Sequence, residues 1–205
     1  MLVGVDFDNT IVCYDQVLYQ SAFELGLIPA DIPVLKDEIR GYIHEHHGAD
    51  KWTEIQGVVY GLRIHDAHPF PGVLEFLTCC KRKGIQIRII SHKTEYPVIS
   101  SKLINLRTAA LEWMEAMNFF DGEEPYLSHD DVLFGATRQE KIEHIRNSDC
   151  TYFIDDLEEV FLVETFPNHI KKILFSPGKR SIAIPGITIV KHWYGMCEYF
   201  FGKTV

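Results

Sequence analysis

Short apolar, β-rich runs recur along the chain at 2–7, 85–90, 151–154, 172–175 and 187–190, with a weaker one at 132–134. Leu2, Val3 and Val5 form one, and Ile85-Gln86-Ile87-Arg88-Ile89-Ile90 another. Near-continuous runs of this kind are what strands buried on both faces of a parallel sheet require. Helix-period patterns separate most of them, at Pro71 to Lys83, Val98 to Met117, Arg138 to Arg146 and Leu157 to Phe166. Strands alternating with helices predict an α/β protein, a parallel sheet wound on both faces. Pro71-Gly72 and Gly84 fit the start and the end of one of these helices, since proline suits a first turn and glycine the residue past the last.

One interval breaks the alternation. About sixty residues between the first strand and Pro69 hold helical patterns at 15–25, 33–47 and 50–63, with no convincing strand. A structureless loop of that length is implausible in a compact domain. The expected organisation is therefore a core of 1–13 plus 69–205 and a small α-helical cap at 14–68. Such an insertion leaves and returns near the end of the first strand, where it could act as a lid.

The candidate chemistry lies where apolar strands end in polar residues. Asp6-Phe7-Asp8-Asn9-Thr10 follows the first run, and alternation turns Asp6 and Asp8 the same way if the strand stays regular. Two adjacent carboxylates repel, so they imply a bound cation or a raised pKa. The other reading is an Asp-Asn-Thr turn that caps the next helix. Ile89-Ile90-Ser91-His92 offers a hydroxyl and backbone N–H groups to an anion. Lys141 opens another helix, where its ammonium can reach a phosphoryl oxygen, and Thr151-Tyr152-Phe153-Ile154 ends in Asp155-Asp156. Each signal alone is commonplace, and their order and spacing give them weight. The carboxyl ends of parallel strands are where such sheets bind ligands.

Charge narrows the partners. With 29 acidic and 20 basic residues the 205-residue chain carries a net charge of −9 and no long basic run, which argues against nucleic acid. A phosphorylated substrate would need a divalent cation beside so acidic a chain. Five cysteines, Cys13, Cys79, Cys80, Cys150 and Cys197, have no metal-ligand spacing and read as mostly buried free thiols in a reducing compartment. No run approaches a membrane span and no leader pattern opens the chain. The expected location is cytoplasmic, with no membrane partner.

Asp-x-Asp-x-Thr on the first strand, Ser on the second, an isolated Lys and a later Asp-Asp together resemble the haloacid dehalogenase superfamily. Asp8-Asn9-Thr10-Ile11-Val12 followed by Ala22-Phe23 resembles the first motif running into a helical cap, and Phe70-Pro71-Gly72-Val73-Leu74-Glu75-Phe76-Leu77 the return from it. The resemblance covers residues from about 2 to 160 and implies a Rossmann-like sheet with strand one between the second strand and the Asp155 strand. It implies Asp6 as the nucleophile that forms an aspartyl phosphate, and Asp8 as the acid and base. Mg²⁺ would be held by Asp6, the Asp8 backbone carbonyl and Asp155, with Asp156 and, less directly, Glu159 behind them. Thr10, Ser91 and Lys141 would bind the phosphoryl oxygens. His92 stands where a small or amide residue is more usual, and either contacts the phosphorylated substrate or packs at the strand end. Asn9 replaces a common glycine, a change that turn conformations tolerate.

The implied function is a Mg²⁺-dependent phosphatase acting on a small phosphorylated metabolite. The second Asp disfavours carbon–halogen chemistry. A phosphomutase with the same groups, or a silent module that keeps the fold, are the alternatives. In the cap, His44, His46, His47, His65 and His68 read as a solvated cluster and Arg63 as a surface ion pair. Trp52, Val58, Val59 and Leu62 are expected to form the cap core. Arg107, Glu112 and Glu115 are expected on a solvated helix face. The aromatic tail, His192-Trp193-Tyr194 to Tyr199-Phe200-Phe201, is expected to pack on the parent domain rather than serve as an interface.

Overall fold

The computed structural model describes residues 1–99, 104–121, 125–178 and 183–202. The chain runs β1 (Leu2–Val5), β2 (Val12–Cys13), α1 (Asp15–Glu24), α2 (Lys36–His47), α3 (Ala49–Gly57), β3 (His68–Pro69), α4 (Val73–Arg82) and β4 (Gln86–His92). It continues through α5 (Leu106–Ala116), β5 (Val132–Gly135), α6 (Arg138–Asn147), β6 (Tyr152–Asp155), α7 (Glu158–Leu162), β7 (Lys171–Phe175), β8 (Ile187–Val190) and α8 (Trp193–Phe201). Two compact units result: residues 1–12, 69–93 and 118–205, and residues 13–68 with 94–117. The segment 94–117, kept with the sheet in the sequence division, thus goes with the helical unit.

The first unit is built on a six-stranded, wholly parallel sheet in the order β5-β4-β1-β6-β7-β8. Val3 pairs with Ile87 on one side and Tyr152 on the other, so β1 is central. Helices cover the faces. Ile142 and Ile145 of α6 pack with Phe153, Phe161, Phe166 and Leu174, each apolar side chain gaining about 1.5–3 kcal/mol from burial.

Three helix boundaries differ from the periodic pattern, each for a local reason. α5 is capped by Asn105, whose side chain accepts the N–H groups of Arg107 and Thr108, so the described helix opens later than Val98. α7 spans five residues rather than ten. Val163 is extended there, and Pro167 disfavours a helical Phe166. α2 opens at Lys36, whose N–H is accepted by Asp15 at 2.9 Å.

The aromatic tail becomes α8, packed on α4. Trp193 lies 5.1 Å from Phe76 and 5.6 Å from Phe175, ring centre to ring centre. Its Nε1–H donates to the carbonyl of Thr10 at 2.9 Å in a buried setting. Tyr194 and Tyr199 stay exposed.

The second unit is helical. Trp113 of α5 is fully buried and donates its indole N–H to the carbonyl of Ala67. Trp52 and Val59 are in its core as expected, whereas Val58 is half-buried and Leu62 exposed. The cause is a wide turn over Val58–Leu62, closed by Arg63 N–H on the Val58 carbonyl. That i→i+5 spacing shifts the helical phase, so Val59 and Ile64, five apart, both face inward. Arg63 is tied to Glu24 and Asp66, and His46 stacks on Tyr42.

All five cysteines are free; Cys80 and Cys150 are buried and the other three half-buried. Burial pushes the Cys80 thiol up to about 12, which suits packing rather than reactivity. Among the described residues no helix is long and apolar enough to cross a membrane.

Candidate active site

Three parallel strand ends and one helix start converge within the first unit. Asp6 follows β1, its N–H held by the Ile154 carbonyl at 2.9 Å. Ser91 comes from β4, Asp155 ends β6, and Lys141 lies in the first turns of α6. Ser91 Oγ donates to Asp6 Oδ1 at 2.9 Å, and Thr10 Oγ1 to Asp6 Oδ2 at 3.3 Å. Lys141 Nζ lies 2.6 Å from Asp6 Oδ1 and 2.6 Å from Asp155 Oδ2. Asp155 Oδ1 accepts the N–H of Leu157. Thr10, Ser91, Lys141 and Asp155 are almost wholly buried, and Asp6 is 4% exposed.

Local sequence explains how each group is aimed. Asn9 adopts φ +61°, a left-handed conformation that asparagine tolerates far better than branched residues. It turns the chain back so that Ile11 and Val12 donate to the Phe7 carbonyl. α6 is fixed at its start by Thr137, which accepts the Glu140 N–H, while the Glu140 carboxylate takes the N–H of Ala136. Gly135 lets this helix approach the sheet: a Cβ there would lie 2.7 Å from the Lys141 backbone nitrogen. Together these features carry the Lys141 side chain to the strand ends.

Electrostatics sets the character of the cluster. Burial pushes the Asp155 carboxyl up to about 7, helped by the Asp6 and Asp156 charges and opposed by Lys141. Burial disfavours the Lys141 ammonium, but Asp155 and Asp6 outweigh it and its pKa rises. Asp6, Asp155 and Asp156 each offer a carboxylate oxygen, all within 4.8 Å of one another. Three carboxylates against one ammonium leave an excess of negative charge. An oxygen-only set with that excess fits a hard divalent cation such as Mg²⁺.

Two residues are placed differently from this group. His92 faces away from Ser91 by strand alternation, is exposed, and its Nε2 meets the Ala136 carbonyl at 3.1 Å. Glu159 is exposed in α7 and is not one of the three clustered acids. The Asp8 carboxylate is held separately by Lys93, whose Nζ is 3.0 Å from Oδ1 and 2.8 Å from Oδ2. Lys93 was missed in the sequence. The same alternation that pairs Asp6 with Asp8 also pairs Ser91 with Lys93, and that was the available signal.

No family model and no curated protein matches the chain. Solved structures do. One from Lactobacillus delbrueckii subsp. bulgaricus, assigned provisionally as a phosphoglycolate phosphatase, matches with a TM-score of 0.57 and 15% identity, over 98% of each chain. A HAD-superfamily hydrolase of subfamily IA from Geobacter sulfurreducens matches at 0.54 and 11% identity, over 97% of this chain and 98% of that one. A HAD-superfamily hydrolase from Ehrlichia chaffeensis matches at 0.52 and 14%, over 97% and 94%. The fold is that of the haloacid dehalogenase superfamily hydrolases, a Rossmann-type parallel sheet flanked by helices.

Proposed function

We propose that this protein is a Mg²⁺-dependent phosphatase that hydrolyses a small phosphorylated metabolite through an aspartyl phosphate. One observation carries the reading: Asp6 receives two hydroxyls and an ammonium in a buried site that also gathers Asp155 and Asp156. Asp6 attacks phosphorus, the ester oxygen departs, and the phosphoryl group is held as an acyl phosphate on Asp6. Asp8 gives a proton to the departing oxygen and then takes one from the water that attacks the phosphoenzyme, which frees phosphate and Asp6. Ser91, Thr10 and Lys141 turn their donors to the phosphoryl oxygens as charge develops there. Asp6, Asp155 and the Asp8 carbonyl would hold Mg²⁺, with Asp156 supporting them. When bound, the ion offsets the repulsion between carboxylates and phosphoryl oxygens.

The substrate belongs to the small phosphate monoesters, and the expected setting is cytoplasmic. Phosphoglycolate enters the first panel because a fold neighbour is provisionally assigned to it. The test is phosphate release from phosphorylated sugars, nucleotides and acids, with and without Mg²⁺, by wild type and Asp6→Asn. Release that needs the ion and disappears in the variant supports the reading. Equal release by both proteins overturns Asp6 as nucleophile.

A further inference from the structure

We propose that Lys93 is a positioning residue that orients Asp8 for proton transfer, an inference that rests on the phosphatase reading above. The Lys93 main chain is pinned one step beyond β4, its N–H donating to the Gly135 carbonyl at 2.9 Å. Its side chain leaves on the same side as Ser91, so two neighbouring strand ends meet as two pairs, Ser91 with Asp6 and Lys93 with Asp8. The ammonium contacts both Asp8 oxygens, at 3.0 and 2.8 Å, and lies 5.6 Å from the centre of the Phe7 ring. Lys93 is 3% exposed, and the Asp8 side chain 14%.

A lysine held this way is an expensive choice for stability alone. Its four-carbon stem loses rotamer freedom, and its charge loses water. Well-packed apolar residues in place of a buried ion pair are often neutral or stabilising. What apolar residues lack is control of a carboxylate. An aspartate turns broadly about its last torsion, and proton transfer needs one oxygen aimed at the ester oxygen and later at water. An ammonium that bridges both oxygens from a pinned strand end restricts that rotation. The two carboxylates assigned to the reaction therefore each have their own lysine: Lys141 on Asp6 and Lys93 on Asp8.

The consequence depends on the leaving group. A nitrophenolate departs as a stable anion and needs no proton, whereas an alkoxide does. The experiment compares p-nitrophenyl phosphate with the alkyl phosphate that wild type turns over fastest. Lys93→Met is expected to lower kcat on the alkyl ester by about 10- to 100-fold, within the usual worth of general acid–base catalysis. KM should stay within about threefold, and the first-turnover burst of p-nitrophenolate, which leaves before Asp8 has any proton to move, should slow by less than about threefold. Lys93→Arg should recover part of the alkyl loss. Lys93→Met on an Asp8→Asn background should cost little more than Asp8→Asn alone, since the two act as one unit. Lys93→Gln, which keeps a hydrogen-bond donor at this position, carries the same contrast if Lys93→Met does not fold. Equal slowing of the first turnover on both esters, or no loss on either, overturns this inference while leaving the phosphatase standing. A wild type inert toward both, or an Asp6→Asn variant as active as wild type, overturns the phosphatase and this inference with it.

Discussion

Two ammonium–carboxylate groups sit at neighbouring strand ends, and they are balanced differently. Lys93 contacts both oxygens of Asp8, one ammonium against one carboxylate. Lys141 faces Asp6 and Asp155, with Asp156 close by, so its surroundings keep a negative excess. The first arrangement can hold its shape by itself. The second holds more carboxylates than ammonium groups, and Asp155 is pushed up to about 7, chiefly by burial and further by the Asp6 and Asp156 charges, despite an ammonium 2.6 Å away. On the proposed reading the second group takes a cation and a phosphoryl group, whereas the first only aims a carboxylate.

The contrast can be broken first at Asp6. Asp6→Asn should reduce phosphate release by on the order of 10⁴-fold or more, as loss of a nucleophile does, with the folded protein checked by circular dichroism. Next is Lys141→Met, which leaves two buried carboxylates without their cation. Removing one partner of a buried pair costs about 3–5 kcal/mol, so thermal melts in chelator should show a large loss, and Mg²⁺ should restore part of it.

Proton and metal then compete for one carboxyl. Because the folded pKa of Asp155 lies above its unfolded value, its contribution to stability is full below about pH 4 and is lost as pH rises through about 7. Metal-free melts should decline over that window, and less so in Asp155→Asn. Mg²⁺ at about 100 times its dissociation constant should add about 2.7 kcal/mol at pH 7.5 and less at pH 5. The smallest effect is expected at Trp193→Phe, which keeps an aromatic ring in place and removes the hydrogen bond to Thr10. About 1–2 kcal/mol should be lost in denaturant melts, the usual cost of a buried hydrogen bond whose acceptor is left behind.

The sheet was legible because strands buried on both faces leave apolar runs, and those runs coincide with β1, β4, β6, β7 and β8 to within a residue or two. Asp6, Ser91 and Asp155 stood out because each is a polar residue where such a run stops. Lys141 had no local mark of its own; Thr137, Glu140 and Gly135 place it, and their work shows only in three dimensions. Lys93 was passed over because its burial depends on Phe7 and Asp8 from another element, which the residues around it do not show. The phase slip at 58–62 was equally invisible, because a wide turn uses the same residues as a regular helix.

The central place of β1 has a consequence for synthesis. Val3 finds its two neighbours in Ile87 and Tyr152, so during translation this strand leaves the ribosome well before either partner exists. Thr10 waits longer still, until Trp193 emerges to take its carbonyl. A chain truncated after Asp156 would carry the acidic residues of the site but lack the anchor on its loop. It would also expose the unpaired edge of β6, which is where a chaperone would be expected to bind.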